Sequence, residues 1–237
     1  MSQRILSEKE VRKFFPKEGE LQPFIYGIVF IAITAWYFIN FTLAAIVAVI
    51  LFGVMMYNYL TGRPDPEKID AEWHRVALSR GNIAYEKLNF DKDEAIREAQ
   101  YFFAYPEHIA PGKDYREITL PLRGPNGESV TYRNHQRVVW MIYGRDQLMT
   151  FDETICLEDL WDSRDRTSEF FWQDVSSIDF DERTDTLEVV VGGKTHSYPL
   201  TGGDNEGGEA FDADRAVEIA NGVRTILREK KSSLRTS

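Results

Sequence analysis

Three scarcities narrow the reading of this 237-residue chain. It has one cysteine, Cys156, so no internal disulfide can form, which agrees with a reducing compartment for the folded part. Without a paired motif around it, Cys156 reads as a small buried side chain. Its four histidines, His74, His108, His135 and His196, are isolated, with no ligand spacing that would hold zinc. Asp179, Asp181 and Asp185 resemble a calcium loop only superficially, because Arg183 takes a ligand slot and the required glycine is missing; a solvated hairpin turn fits better. There is no phosphate loop, no nucleophile elbow and no dinucleotide fingerprint. The expectation is therefore a protein that is not an enzyme and carries no cofactor and no metal.

The fourth scarcity is positional. Residues 23–60 hold no Asp, Glu, Lys, Arg or His. As a single helix these 38 residues would run roughly 57 Å, about twice a bilayer's hydrocarbon core. Two spans fit better, reversing near Asn40, Phe41 and Thr42, with aromatic residues at both ends and at the midpoint. Basic residues flank the run on both sides, among them Lys13 and Lys17 before it and Arg63 and Lys68 after it. This predicts a multi-pass protein of the inner (plasma) membrane, in contact with membrane lipids through the hairpin, with both termini cytoplasmic.

Beyond the run, charge is unequal. From Lys113 to Lys230 there are 14 Lys+Arg against 24 Asp+Glu, which accounts for the whole formal net charge of −10. Such a surface repels nucleic acid and favours protein partners or a homo-oligomer. Acids such as Glu158-Asp159 and Asp162-Asp165, interleaved with Arg164 and Arg166, read as an exposed salt-bridged loop.

Periodicity orders the remainder. Thr61 to Pro66 is a breaker; Ile69, Trp73, Val76 and Ala77 recur at helical spacing. Asp91 with Glu94 reads as a capping box opening a second helix through Ala95, Ile96, Ala99, Phe102 and Phe103, ended by Pro106. From Tyr115 the period becomes two. Ile118 to Leu122 and Val130 to Tyr132 flank an Asn126-Gly127 turn, and strands follow at 137–143, 147–151, 154–157, 170–172, 178–180, 187–191 and 195–200. A glycine-rich acidic loop from Gly202 to Glu209 precedes a closing helix with Ala216, Ile219, Ala220, Val223, Ile226 and Leu227 on one face. Gly222 inside that helix costs about 1 kcal/mol relative to alanine.

This order of short antiparallel strands and a C-terminal helix resembles bacterial membrane-anchored pleckstrin-homology-like (bPH-type) domain proteins. The resemblance is carried by Val139 to Leu148, by Phe171-Trp172-Gln173-Asp174-Val175-Ser176-Ser177-Ile178, and by the hairpin Leu187 to Leu200 before the helix. It implies an α+β chain: an N-terminal two-helix transmembrane hairpin, a short helical connector, then an antiparallel PH-like β-barrel or sandwich capped by the C-terminal helix. The expected divisions are a cytoplasmic segment 1–22, the hairpin 23–60, linker and connector 61–111, the PH-like domain 112–231, and a disordered tail 232–237. The implied role is a membrane-anchored, non-enzymatic adaptor or scaffold subunit presenting that domain to protein partners in an envelope complex; the alternative is a lipid-sensing module at the membrane surface. For lipid contact the candidates are Arg123, Arg133, His135 and Arg137, although no dense cationic cluster surrounds them.

Overall fold

A computed structural model describes residues 4–16, 22–38, 46–54, 57, 64–106, 115–120, 129–160, 165–200, 208–209 and 213–236. The chain separates into two compact units, Arg4–Glu72 and one comprising Trp73–Ser237.

In the smaller unit, helix α1 (Glu8–Phe14) begins with a reciprocal capping box. The Ser7 hydroxyl accepts from the Glu10 amide at 3.3 Å, and the Glu10 carboxylate accepts from the Ser7 amide at 2.8 Å. Glu72, fully buried, is held by Arg4 at 3.5 Å and by the Ile5 amide at 2.9 Å. Helix α2 spans Gln22–Phe38, and residues 46–54 form helix α3.

Here the expected transmembrane hairpin is overturned. Among the described residues no helix is long and apolar enough to cross a membrane. Helix α2 has 17 residues, roughly 25 Å of rise, which falls short of a hydrocarbon core of about 30 Å. The described part of α3 is shorter still, and the proposed reversal at 40–42 lies outside the described residues. The readings built on that hairpin, an integral membrane protein of the inner membrane with cytoplasmic termini, fall with it. What the run supplies instead is exposed apolar surface, with Phe30 71% and Tyr26 67% accessible.

Helix α4 (Pro66–Lys87) starts on Asp65, whose carboxylate accepts from the Glu67 amide at 3.3 Å, with Pro66 at the first helical position. It ends at Asn89, which adopts a positive φ of 49°. The predicted second helix does not form. Asp91 caps a single 3₁₀ turn, Lys92–Glu94, and the chain then becomes strand β1 (Arg97–Ala104). The physical reason is burial on both faces: Tyr101, Phe102, Phe103 and Ala104 are all buried, and such a strand reads as a continuous apolar run without period two.

Strands β2 (Glu117–Leu120) and β3 (Ser129–Arg133) pair as expected, their turn lying outside the described residues; a two-residue strand β10 (Gly208–Glu209) joins β3 in parallel. Strand β4 is His135–Tyr143. The two segments 147–151 and 154–157 are one ten-residue strand, β5 (Gln147–Cys156). Strand β6 (Asp165–Phe171) completes a four-stranded antiparallel sheet in the order β1-β4-β5-β6. Strands β7 (Val175–Asp181), β8 (Thr186–Val191) and β9 (Lys194–Pro199) form an antiparallel meander, its last turn made by Gly192 and Gly193 at φ of 55° and 79°. Helix α5 (Ala213–Thr236) packs its predicted apolar face, Ala216 to Leu227, into the core with Phe102, Val139, Met141, Leu187 and Tyr198.

The register fixes which residues share a face of the four-stranded sheet. Phe102 lies opposite Val139, on the side that α5 covers. Tyr101 lies opposite Trp140 and therefore on the other side, where α4 packs: Trp73 meets Phe103 edge to face at 5.9 Å, and a Cβ on Gly81 would come within 2.9 Å of the Trp140 ring.

Candidate functional site

A groove of about 740 Å³ opens between the C-terminal half of α4 and the N-terminal half of α5, with β1 along its floor. Helix α4 contributes Leu78, Gly81, Asn82 and Tyr85, and α5 contributes Arg215 and Glu218. From the sheet come Trp140 and five consecutive residues of β1, Arg97 through Tyr101. That run is informative because side chains alternate across a strand, so a cavity over one face meets every second residue. A cavity lined by five in succession meets the strand along its edge. Strand β1 is the outermost strand of its sheet, and no strand among the described residues pairs with its outer side. At Arg97 to Gln100 the pairing with β4 shifts register, so Glu98 and Ala99 bulge from the ladder.

Two glycines make the groove. Gly81 lets the Trp140 indole lie against α4, since a Cβ there would sit 2.9 Å from the ring. Gly222 does the same on α5 for Arg97, whose guanidinium occupies the place a Cβ would need. This explains a glycine in mid-helix that propensity alone disfavours. Arg97 then lies 5.8 Å over the Tyr143 ring, half-buried, and among the described residues it makes no hydrogen bond or ion pair. Burial pushes the Tyr143 hydroxyl well above its ordinary value, with Arg97 pulling the other way, and that hydroxyl donates to Gln100 at 2.8 Å. The Trp140 indole N–H, 6% accessible as a residue, has no hydrogen-bond acceptor among the described residues.

The other cations of the groove are engaged. Lys92 donates to Asn82 at 2.7 Å and lies over the Tyr85 ring at 5.1 Å. Arg215 stacks 4.4 Å from the Tyr101 ring centroid, and its Nη1 is 3.3 Å from His74 Nδ1, which also lies 3.1 Å from the Tyr101 hydroxyl. With two donors aimed at it, Nδ1 is the acceptor of a neutral imidazole. Burial, and then the Arg215 charge, hold the His74 pKa below 6.5.

The residues singled out from sequence for lipid contact lie elsewhere. Arg133, His135 and Arg137 are 7%, 0% and 2% accessible. Arg133 pairs with Glu117 at 3.5 Å and lies over the Tyr105 ring; His135 Nδ1 contacts Asn134 Oδ1 at 2.9 Å. Arg137 donates to Asp152 at 3.0 Å beneath the Tyr198 ring, and Asp152 also receives Arg166 at 3.4 Å. Arg123 lies outside the described residues. Of the acids read as an exposed salt-bridged loop, Asp159 and Asp165 are exposed and Asp165 pairs with Lys87, whereas Glu158 is buried, bound by Arg116 at 3.1 Å and by the Asn134 amide at 3.1 Å; Asp162 lies outside the described residues. Asp181 does form the expected solvated turn, its carboxylate accepting from the Arg183 amide at 2.9 Å. Among the described residues no three metal-ligating side chains converge. Cys156 is buried, and that burial pushes its thiol up to about 11.

Sequence reasoning missed the groove because it assigned β1 to a helix. The signal that could have found it is the pair of glycines, Gly81 and Gly222, set within otherwise regular helical patterns. No protein-family model matches the chain, and neither a curated protein nor a solved structure is significantly similar to it.

Proposed function

We propose that this protein is a non-enzymatic adaptor whose unit Trp73–Ser237 docks an extended segment of a protein partner along the outer edge of β1. One observation carries the reading: a strand edge that no described strand pairs with, set in a groove between two helices. Such an edge offers backbone donors and acceptors to an added strand, and the flanking helices offer side-chain contacts that choose its sequence. Arg97 through Tyr101 provide roughly 16 Å of edge at about 3.3 Å per residue. The pleckstrin-homology-like resemblance belongs to the same proposal. Its support is the order of a four-stranded antiparallel sheet, a three-stranded meander and a closing helix. Arg133 and Arg137, named for the lipid-sensing alternative, are buried against internal partners and do not favour it.

The test is a displayed random octapeptide library selected on the full-length chain. Enriched peptides, once synthesised, should slow amide exchange in β1 and lose binding when their backbone amides are methylated at alternate positions. If no peptide is enriched, or if methylation leaves binding intact, strand docking at this edge is wrong.

A further inference from the structure

We infer that the groove selects an acidic side chain in the docked segment, with Arg97 as the residue that reads it; the inference rests on the strand-docking proposal above. Three cations and two acids line the groove, in a chain whose formal net charge is −10. The cations differ in what they already do. Lys92 is held by Asn82 and the Tyr85 ring, and Arg215 by His74 and the Tyr101 ring. Arg97 alone of the three makes no hydrogen bond or ion pair among the described residues, and it sits on the edge strand itself. Glu98 and Glu218, by contrast, are exposed, and Glu218 makes no ion pair with Arg97 among the described residues although its charge reaches the Tyr143 hydroxyl.

A half-buried guanidinium without an acceptor is costly to keep, because part of its hydration is lost and nothing replaces it. The fold nonetheless reserves space for it. Gly222 stands where any other residue would collide with the guanidinium, and the Tyr143 ring supports its face. The guanidinium's remaining donors form a planar fork that matches a carboxylate in two hydrogen bonds, a geometry a lysine could not supply. Beside it the small side chains of Ala95 and Ala99 leave the edge open to an incoming backbone. An extended peptide with a Glu or Asp at the position facing Arg97 therefore satisfies both the strand edge and the orphaned cation.

The octapeptide selection tests this directly. On the unmodified chain, enriched peptides should carry Glu or Asp at one fixed position, and replacing that residue with Gln or Asn should weaken binding about tenfold. Arg97→Gln should keep peptide binding and lose the preference, and Arg97→Glu should shift the enriched residue to Lys or Arg. A second variant guards against misfolding. Gly222→Ala adds a good helix former and displaces only the far end of a flexible side chain, so it should leave thermal stability equal or higher while abolishing acid selectivity. Enriched peptides with no acidic preference overturn the inference and leave strand docking standing. Acid selectivity that survives Arg97→Gln also overturns it. Failure to enrich any peptide overturns both.

Discussion

The central strands β4 and β5 and the C-terminal half of β1 are buried on both faces of their sheet, and the two faces are put to different use. Against α5 the contacts are almost wholly aliphatic and aromatic: Phe102, Val139, Met141 and Leu148 meet Ala216, Ile219, Val223 and Leu227. Against α4 the sheet presents Tyr101, Phe103 and Trp140, and a polar set gathers at their border: His74, Arg215 and the edge of β1. The first face is built as a core is, by complementary volume. The groove where the two faces meet leaves, among the described residues, an indole N–H without an acceptor, a strand edge without a neighbouring strand and a guanidinium without a hydrogen bond or ion pair. Stability should therefore be concentrated in the core under α5 and recognition in the groove between α4 and α5.

The largest effects should come from the α5 side. Phe102→Ala removes a fully buried ring that meets Tyr198 edge to face at 5.9 Å, and should lower unfolding free energy by about 3–5 kcal/mol in urea titration. Leu78→Ala, at an exposed position on the groove wall, should stay within about 0.5 kcal/mol. Equal losses at the two positions would erase the proposed distinction. Next comes the Arg137–Asp152 ion pair set into the α5 face. Asp152→Ala removes the carboxylate that Arg137, 2% accessible, binds at 3.0 Å, and should cost of the order of 3 kcal/mol. The double variant Asp152→Ala with Arg137→Met should recover most of that loss, since the penalty arises from a buried charge that has lost its carboxylate.

How much of this the sequence discloses follows the same division. Helix α5 is legible because one face is apolar at helical spacing and the other charged, and all six residues named for its buried face are in the core. The β7-β8-β9 meander is legible from alternation and from Gly192-Gly193. Strand β1 is not, because burial on both faces removes the alternation that identifies a strand, and Asp91 with Glu94 supplies a helix start that is spent on one turn. The uncharged run 23–60 discloses its apolarity but not the length of any helix within it, and a membrane reading needs both. The groove combines these failures. Its floor is the misread strand, and its shape depends on two glycines whose role appears only once Trp140 and Arg97 are placed against them.

Those two glycines give a finer test of the comparison. An alanine Cβ at position 81 meets the Trp140 ring at 2.9 Å, and an indole packed between helix and sheet cannot move aside cheaply. An alanine at 222 meets only a side-chain end. Gly81→Ala should thus destabilise by about 1–2 kcal/mol despite its gain in helix propensity, whereas Gly222→Ala should gain up to about 1 kcal/mol. Thermal melts of the two variants decide the matter, and a destabilised Gly222→Ala would show that Arg97 is held as part of the core.

The smallest effect tests whether the α4 side is polar by design, through the pH dependence of His74. Its folded pKa is held below the ordinary 6.5 by burial and then by Arg215, so the folded state keeps the ring neutral where the unfolded chain takes up a proton. The sign follows. Stability from this site is complete above pH 6.5 and is lost as pH falls below it toward the folded pKa. His74→Gln retains an acceptor for Tyr101 and Arg215 but cannot titrate. Urea melts at pH 7.5, 6.5 and 5.5 should therefore show a steeper loss for the parent chain than for the variant. Parallel slopes would mean that protonated His74 is tolerated beside Arg215. The α4 side would then be looser than the contacts of Arg215 with Tyr101 and His74 imply.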